Sequence, residues 1–125
     1  MIGYQMVGTN NLDKAVKFYD ALMGEMGAQR MMEEEGSFVA WARDPKQPAF
    51  SVCKPQDGNN ASIGNGSMTA FAVETPAQVD KLYAKAIELG ATDEGPAGPR
   101  GSSFYAGYCR DLDGNKFNFF CMGGS

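Results

Sequence analysis

The chain has 125 residues, 43% of them hydrophobic and 21% charged, enough for one domain with its own core and unlike a disordered or fibrous protein. It contains no histidine, which excludes Ser-His-Asp and Cys-His nucleophile pairs, an imidazole base and any His-ligated metal. Eleven Lys plus Arg against fifteen Asp plus Glu leave a net charge of −4, the wrong balance for a nucleic-acid partner.

From Tyr4 to Ala28 the sequence predicts a strand, an Asn-rich turn and a helix. Asn11 is placed to cap the helix, Leu12, Ala15, Val16, Tyr19 and Leu22 form its apolar stripe, and Gly27 suits the C′ position. Met31-Met32 fall on a strand, either as core or as a subunit seam, and Glu33-Glu34-Glu35 reads as a solvated turn. Asp44-Pro45 marks a loop, and the polar, Gly-rich stretch 57–66 reads as a linker between modules at about 1–56 and 67–122. From Met68 to Ala91 the same order returns at an offset of 64, which sets Tyr4 on Met68 and Tyr19 on Tyr83. Thr75 with Pro76 opens this helix, Val79, Leu82, Tyr83, Ala86 and Ile87 form its stripe, and Gly90 ends it. Gly95 to Gly101 reads as a loop. Trp41-Ala42-Arg43-Asp44 falls on Tyr108-Cys109-Arg110-Asp111 at an offset of 67, as Phe50 does on Phe117, and Asp113-Gly114 signals a hairpin. Each half is thus strand, helix and three strands. Half a chain leaves one sheet face open, so the halves are expected to share a sheet or a cleft. The odd, widely spaced Cys53, Cys109 and Cys121 are expected as reduced thiols. No long apolar run or signal-like start is present, so a cytoplasmic protein without a membrane partner is expected.

Two βαβββ modules carrying Asn11-Leu12-Asp13-Lys14-Ala15-Val16-Lys17-Phe18-Tyr19 early and Arg110-Asp111-Leu112-Asp113-Gly114-Asn115 late resemble the vicinal oxygen chelate superfamily. That superfamily includes glyoxalase I, extradiol dioxygenases, and the fosfomycin and bleomycin resistance proteins. The resemblance implies an α+β fold in which two tandem βαβββ modules form a glyoxalase-like cleft of curved mixed sheets, commonly in a homodimer.

Strand alternation assigns the cleft wall. Tyr4 and Met6 face inward on the first strand, Ser51 and Cys53 on the fourth, Met68, Ala70, Ala72 and Glu74 on the fifth, and Asn118, Phe120 and Met122 on the last. A two- or four-residue hairpin at Asp113-Gly114 would add Tyr105, Gly107 and Cys109 to this wall. The repeat then turns Phe38, Ala40 and Ala42 inward and makes Trp41 core.

In metal-dependent members of the superfamily, four inward positions hold the ion; carried over, they are Tyr4, Ser51 (with Val52 or Cys53 as its alternatives), Met68 and Asn118. A phenol, a hydroxyl, a thioether and an amide are poor ligands for divalent first-row metals, so neither metal nor other cofactor is expected. What remains is a mostly apolar wall with sparse polar groups, fit for a small molecule or simply filled as core. The expected ligand-binding set is Tyr4, Met6, Phe38, Ser51, Met68, Tyr105, Asn118 and Phe120, with Arg100 at the rim for an anionic group. The leading expectation is a protein that binds an apolar or aromatic molecule, an unidentified one, as a homodimer. The alternatives are a glyoxalase-like lyase or related enzyme with a displaced or absent metal site, using Glu74, Glu33 or similar acids, and a module with a vestigial cleft.

Overall fold

Asn11 has extended backbone, and its side chain accepts a hydrogen bond from the Lys14 amide (3.1 Å), which satisfies an otherwise unpartnered N–H at the start of α1 (Leu12–Glu25). Thr75 and Gln78 do the same reciprocally for α2 (Pro76–Glu88), a capping box with proline in the first turn. Both helices end alike. Gly27 and Gly90 take positive φ, and the amides of Ala28 and Ala91 return to the carbonyls of Met23 and Ala86. The buried stripe of α1 runs through Ala15, Phe18, Tyr19, Leu22 and Met23, so it is turned towards Phe18 and Met23, with Leu12 and Val16 only half-buried. In α2, Val79, Leu82 and Ala86 are buried, whereas Ile87 is exposed.

The computed structural model describes residues 1–123 and divides into two compact units, Met1–Ile63 and Gly64 onward. The first carries β1 (Tyr4–Gly8), α1, β2 (Gln29–Glu34), β3 (Phe38–Ala42) and β4 (Ala49–Cys53), in sheet order β1-β4-β3-β2. The second carries β5 (Thr69–Ala72), α2, β6 (Thr92–Pro99), β7 (Phe104–Arg110) and β8 (Lys116–Met122), in the matching order β5-β8-β7-β6. Each sheet is mixed: its first strand runs parallel to its fourth, and the remaining pairs are antiparallel. Part of the stretch expected as a linker is tied to the first unit, because Asn10 exchanges two hydrogen bonds with Ala61 (2.7 and 3.2 Å). The stretch expected as a loop from Gly95 is instead the irregular end of β6, and Glu33 and Glu34 finish β2 rather than forming a turn.

Each helix covers one face of its own sheet. Under α1 lie Val39, Trp41, Phe50 and Val52, with Tyr19 against the rings of Trp41 and Phe50 (5.9 and 4.8 Å). Trp41 is core, as expected, and its indole N–H donates to Asp20 (2.9 Å). Under α2 lie Phe71, Phe117, Phe119, Cys109 and Cys121. All three cysteines are free thiols; burial pushes Cys109 up to about 12, with the Asp93 carboxylate adding to the effect.

The hairpin between β7 and β8 corrects one expectation. Arg110 pairs with Lys116, which leaves five connecting residues, not two or four. An odd connection exchanges the faces. Tyr108 therefore shares a face with Asn118, while Tyr105, Gly107 and Cys109 turn towards α2 with Phe117, Phe119 and Cys121. Asp111 builds this longer turn by accepting from the amides of Asp113 and Asn115 (2.9 Å each) and from the Asn115 side chain (3.0 Å). In the first unit the expected assignment holds: Phe38 and Ala40 lie opposite Cys53 and Ser51.

Candidate functional site

The helix-free face of the first sheet holds Tyr4 and Met6 from β1, Ser51 from β4, and Phe38, Ala40 and Ala42 from β3. Directly opposed Ala40 and Ser51 are small, and this face lines an open cavity of about 500 Å³. Among the described residues no charged side chain lines it. A β-bulge between Arg30 and Met32 brings both Met31 and Met32 into the lining, where strict alternation would bring only one. Three methionines, a phenol and a phenyl ring thus form an adaptable apolar wall. Gln47, from the loop between β3 and β4, adds an amide. The Ser51 hydroxyl is 1% exposed and donates to the Val39 carbonyl (3.0 Å), which leaves its oxygen only the role of acceptor. Of the residues expected here, Tyr4, Met6, Phe38 and Ser51 come together. Met31, Met32 and Gln47 had no signal beyond a strand and a loop.

The helix-free face of the second sheet differs. Ala70, Tyr108 and Asn118 form one row across three strands, with Phe104 stacked on Phe120 (5.4 Å) beside it. Asn118 is 1% exposed and its Oδ1 has no hydrogen-bond partner among the described residues. Met68 precedes β5 and is partly exposed. Arg100 donates to its own neighbours, the carbonyls of Pro96 (2.7 Å) and Gly98 (2.9 Å), and lies 5.5 Å from the centre of the Tyr108 ring. Tyr105 does not join this face: its hydroxyl donates to Asp80 on α2 (2.7 Å), and that bond raises its pKa.

The sequence profile of the glyoxalase/bleomycin resistance protein/dioxygenase superfamily matches residues 1–119. The chain belongs to this superfamily. A glyoxalase/bleomycin resistance protein from Albidiferax ferrireducens T118 is similar over 97% of this chain and 98% of its own, at 37% identity and a TM-score of 0.88. A lactoylglutathione lyase from Agrobacterium tumefaciens shares the fold at 19% identity and a TM-score of 0.72, over 97% of this chain and 92% of its own. So does a family enzyme from Burkholderia phytofirmans PsJN, at 20% and 0.75, over 96% and 97%. No functionally curated protein matches the sequence.

The superfamily's metal positions can be tested on these residues. Ser51 has committed its proton to a backbone carbonyl, Met68 offers a thioether, and Tyr4 and Asn118 offer a phenol and an amide. Among the described residues no three His, Cys, Asp or Glu side chains are grouped to hold an ion. Glu33, named for a displaced site, pairs with Arg30 (3.3 Å) and lies opposite Val39, on the helix side of its sheet. Glu74 stands beyond the end of β5. This donor set does not fit a divalent first-row metal in the superfamily's manner. Among the described residues no helix is long and apolar enough to cross a membrane.

Proposed function

We propose that this superfamily member binds a small apolar or aromatic molecule in a metal-free cleft whose apolar wall is the cavity of the first unit. The observation that carries this reading is that cavity: about 500 Å³, with no charged residue in its lining. Its volume falls within the usual range for ligand pockets. Met6, Met31 and Met32 can reshape around a planar ring and offer sulfur to its edge, while Phe38 and Tyr4 offer aromatic faces. Ser51 and Gln47 orient the guest, Ser51 through its lone pairs and Gln47 as donor or acceptor. The protein acts as a cytoplasmic homodimer in this reading.

A thermal-shift series with indole and 1-naphthol tests it. Ligand at 100 times its Kd stabilises the native state by about 2.7 kcal/mol, a rise in Tm that the assay resolves. Ala40→Leu, which fills the cavity, is expected to abolish the shift while the variant remains folded. Stoichiometric bound metal, with turnover of methylglyoxal and glutathione after adding nickel, zinc or manganese, would overturn the reading in favour of a lyase with a displaced site. No shift with any ring compound would leave a vestigial cleft.

A further inference from the structure

The second unit's helix-free face carries charge that the lining of the first unit's cavity lacks. Lys116 stands two residues before Asn118 on the same face of β8, with its ammonium 5.6 Å from the centre of the Tyr108 ring. Arg100 reaches the same ring at 5.5 Å. Neither cation pairs with a carboxylate among the described residues. The third cation on this face, Arg110, is paired with Glu94 (3.1 Å), and Glu74 lies beyond the opposite end of the sheet. Two unneutralised cations converging on one aromatic ring are a notable placement in a chain whose net charge is −4.

The arrangement is built rather than incidental. A Cβ at Gly95 would stand 3.2 Å from Arg100 Nη2 and 3.4 Å from Tyr108 Cδ1, and one at Gly98 would stand 3.4 Å from Arg100 Nη1. These two glycines make room for the guanidinium, and the carbonyls of Pro96 and Gly98 hold it there. Directly across from Tyr108 lies Asn118, whose side chain makes no hydrogen bond among the described residues and whose buried Oδ1 is an orphan. Buried polar atoms are seldom left so. Turning the amide about χ2 sacrifices no existing bond, so it is free to meet a ligand with either its oxygen or its nitrogen. On the other side of Asn118 its strand neighbour is Ala70, which is exposed.

We infer that this face recognises a small aromatic acid that also carries an O–H or N–H donor. Lys116 and the charge of Arg100 take the acid group, Tyr108 and the Phe104–Phe120 stack meet the ring, and Asn118 takes the donor. The inference concerns a face of the second unit by itself; it rests on the reading that this protein binds small ring compounds and names the class taken there.

The probes are 3-hydroxybenzoate, its methyl ester and unsubstituted benzoate, titrated into the full-length protein by calorimetry at low and high salt. The hydroxy acid is expected to bind about tenfold more tightly than its ester, with the margin shrinking at high salt. Lys116→Met should bring the acid down to the ester's affinity. Asn118→Leu should erase the preference for hydroxybenzoate over benzoate, while a folded variant of unchanged or higher Tm shows that the amide serves binding rather than folding. Ester and acid binding equally, or a margin that survives Lys116→Met, overturns this inference and leaves the ring-binding reading standing. If indole, 1-naphthol and all three probes fail to bind, the ring-binding reading itself is overturned.

Discussion

The two units share an element order and a sheet order, yet their β-hairpins differ by one residue. Eight residues separate the paired Trp41 and Phe50, and seven separate their counterparts Cys109 and Phe117. On the helix side, this sets Trp41 and Val39 where the second unit has Cys109 and Gly107. The second unit recovers the volume with Phe119 and with Tyr83, whose ring would be 3.1 Å from a Cβ at Gly107. On the other side, the opposed pair Ala40 and Ser51 becomes Tyr108 and Asn118. A small pair lines a neutral cavity; a larger polar pair stands beside two cations. A repeated topology therefore does not repeat its faces, because side-chain direction follows loop parity rather than element order.

The largest effect expected from this comparison is in the cores. Trp41→Ala should cost roughly 3–5 kcal/mol in denaturant unfolding, whereas Cys109→Ala at the matching position should cost roughly 1 kcal/mol. Comparable losses would mean that the two cores are not organised as described.

The turn that sets the parity is next. Asp111 is buried and its carboxylate accepts from the amides of Asp113 and Asn115 and from the Asn115 side chain, while its counterpart Asp44 is exposed and its carboxylate accepts from the Lys46 amide (2.8 Å). Asp111→Ala should destabilise by about 1–3 kcal/mol and Asp44→Ala by about 0.5 kcal/mol, read from the same denaturation curves. Equal costs would detach the second hairpin's shape from its aspartate.

The smallest effect is a difference in how the units respond to pH. A hydrogen bond from Arg30 holds Asp20 below the usual carboxylate range, with the Trp41 indole N–H assisting against partial burial. Its contribution is complete above the ordinary value of 3.8 and fades as pH falls through the lowered one. In the second unit, burial raises Cys109 to about 12 and, with the Asp93 hydrogen bond, Tyr83 also to about 12. Those contributions are complete below the ordinary values of 9.0 and 10.0 and fade as pH rises through about 12. Trp41, the chain's one tryptophan, reports the first unit by fluorescence, and tyrosinate absorbance reports the alkaline limb. Asp20→Asn should flatten the acid limb alone, and Cys109→Ala the alkaline limb alone.

Much of the candidate site was legible because it lies on strands whose direction needs no hairpin. Tyr4 and Met6 follow from alternation on β1, Ser51 from β4, and Asn118 and Phe120 from β8. Tyr105 was misplaced because its face depends on a turn whose length Asp113-Gly114 does not specify. Met31 and Met32 could not both be assigned to the cavity, since a bulge leaves no mark in a period-two pattern. The sequence marks Arg100 only as a charge on a rim; its carbonyl partners lie on β6 where the register with β7 is irregular.

Local chemistry accounts for what the chain alone determined. Caps at Asn11 and Thr75, positive-φ glycines at 27 and 90, and the doubled order of elements all depend on neighbours within a few residues, and a single sequence contains those neighbours. The tertiary structure alone decided the parity of the second hairpin, the bulge in β2 and the orphaned amide of Asn118. Each is settled by which backbone groups find partners on another strand, and no local preference can determine that pairing.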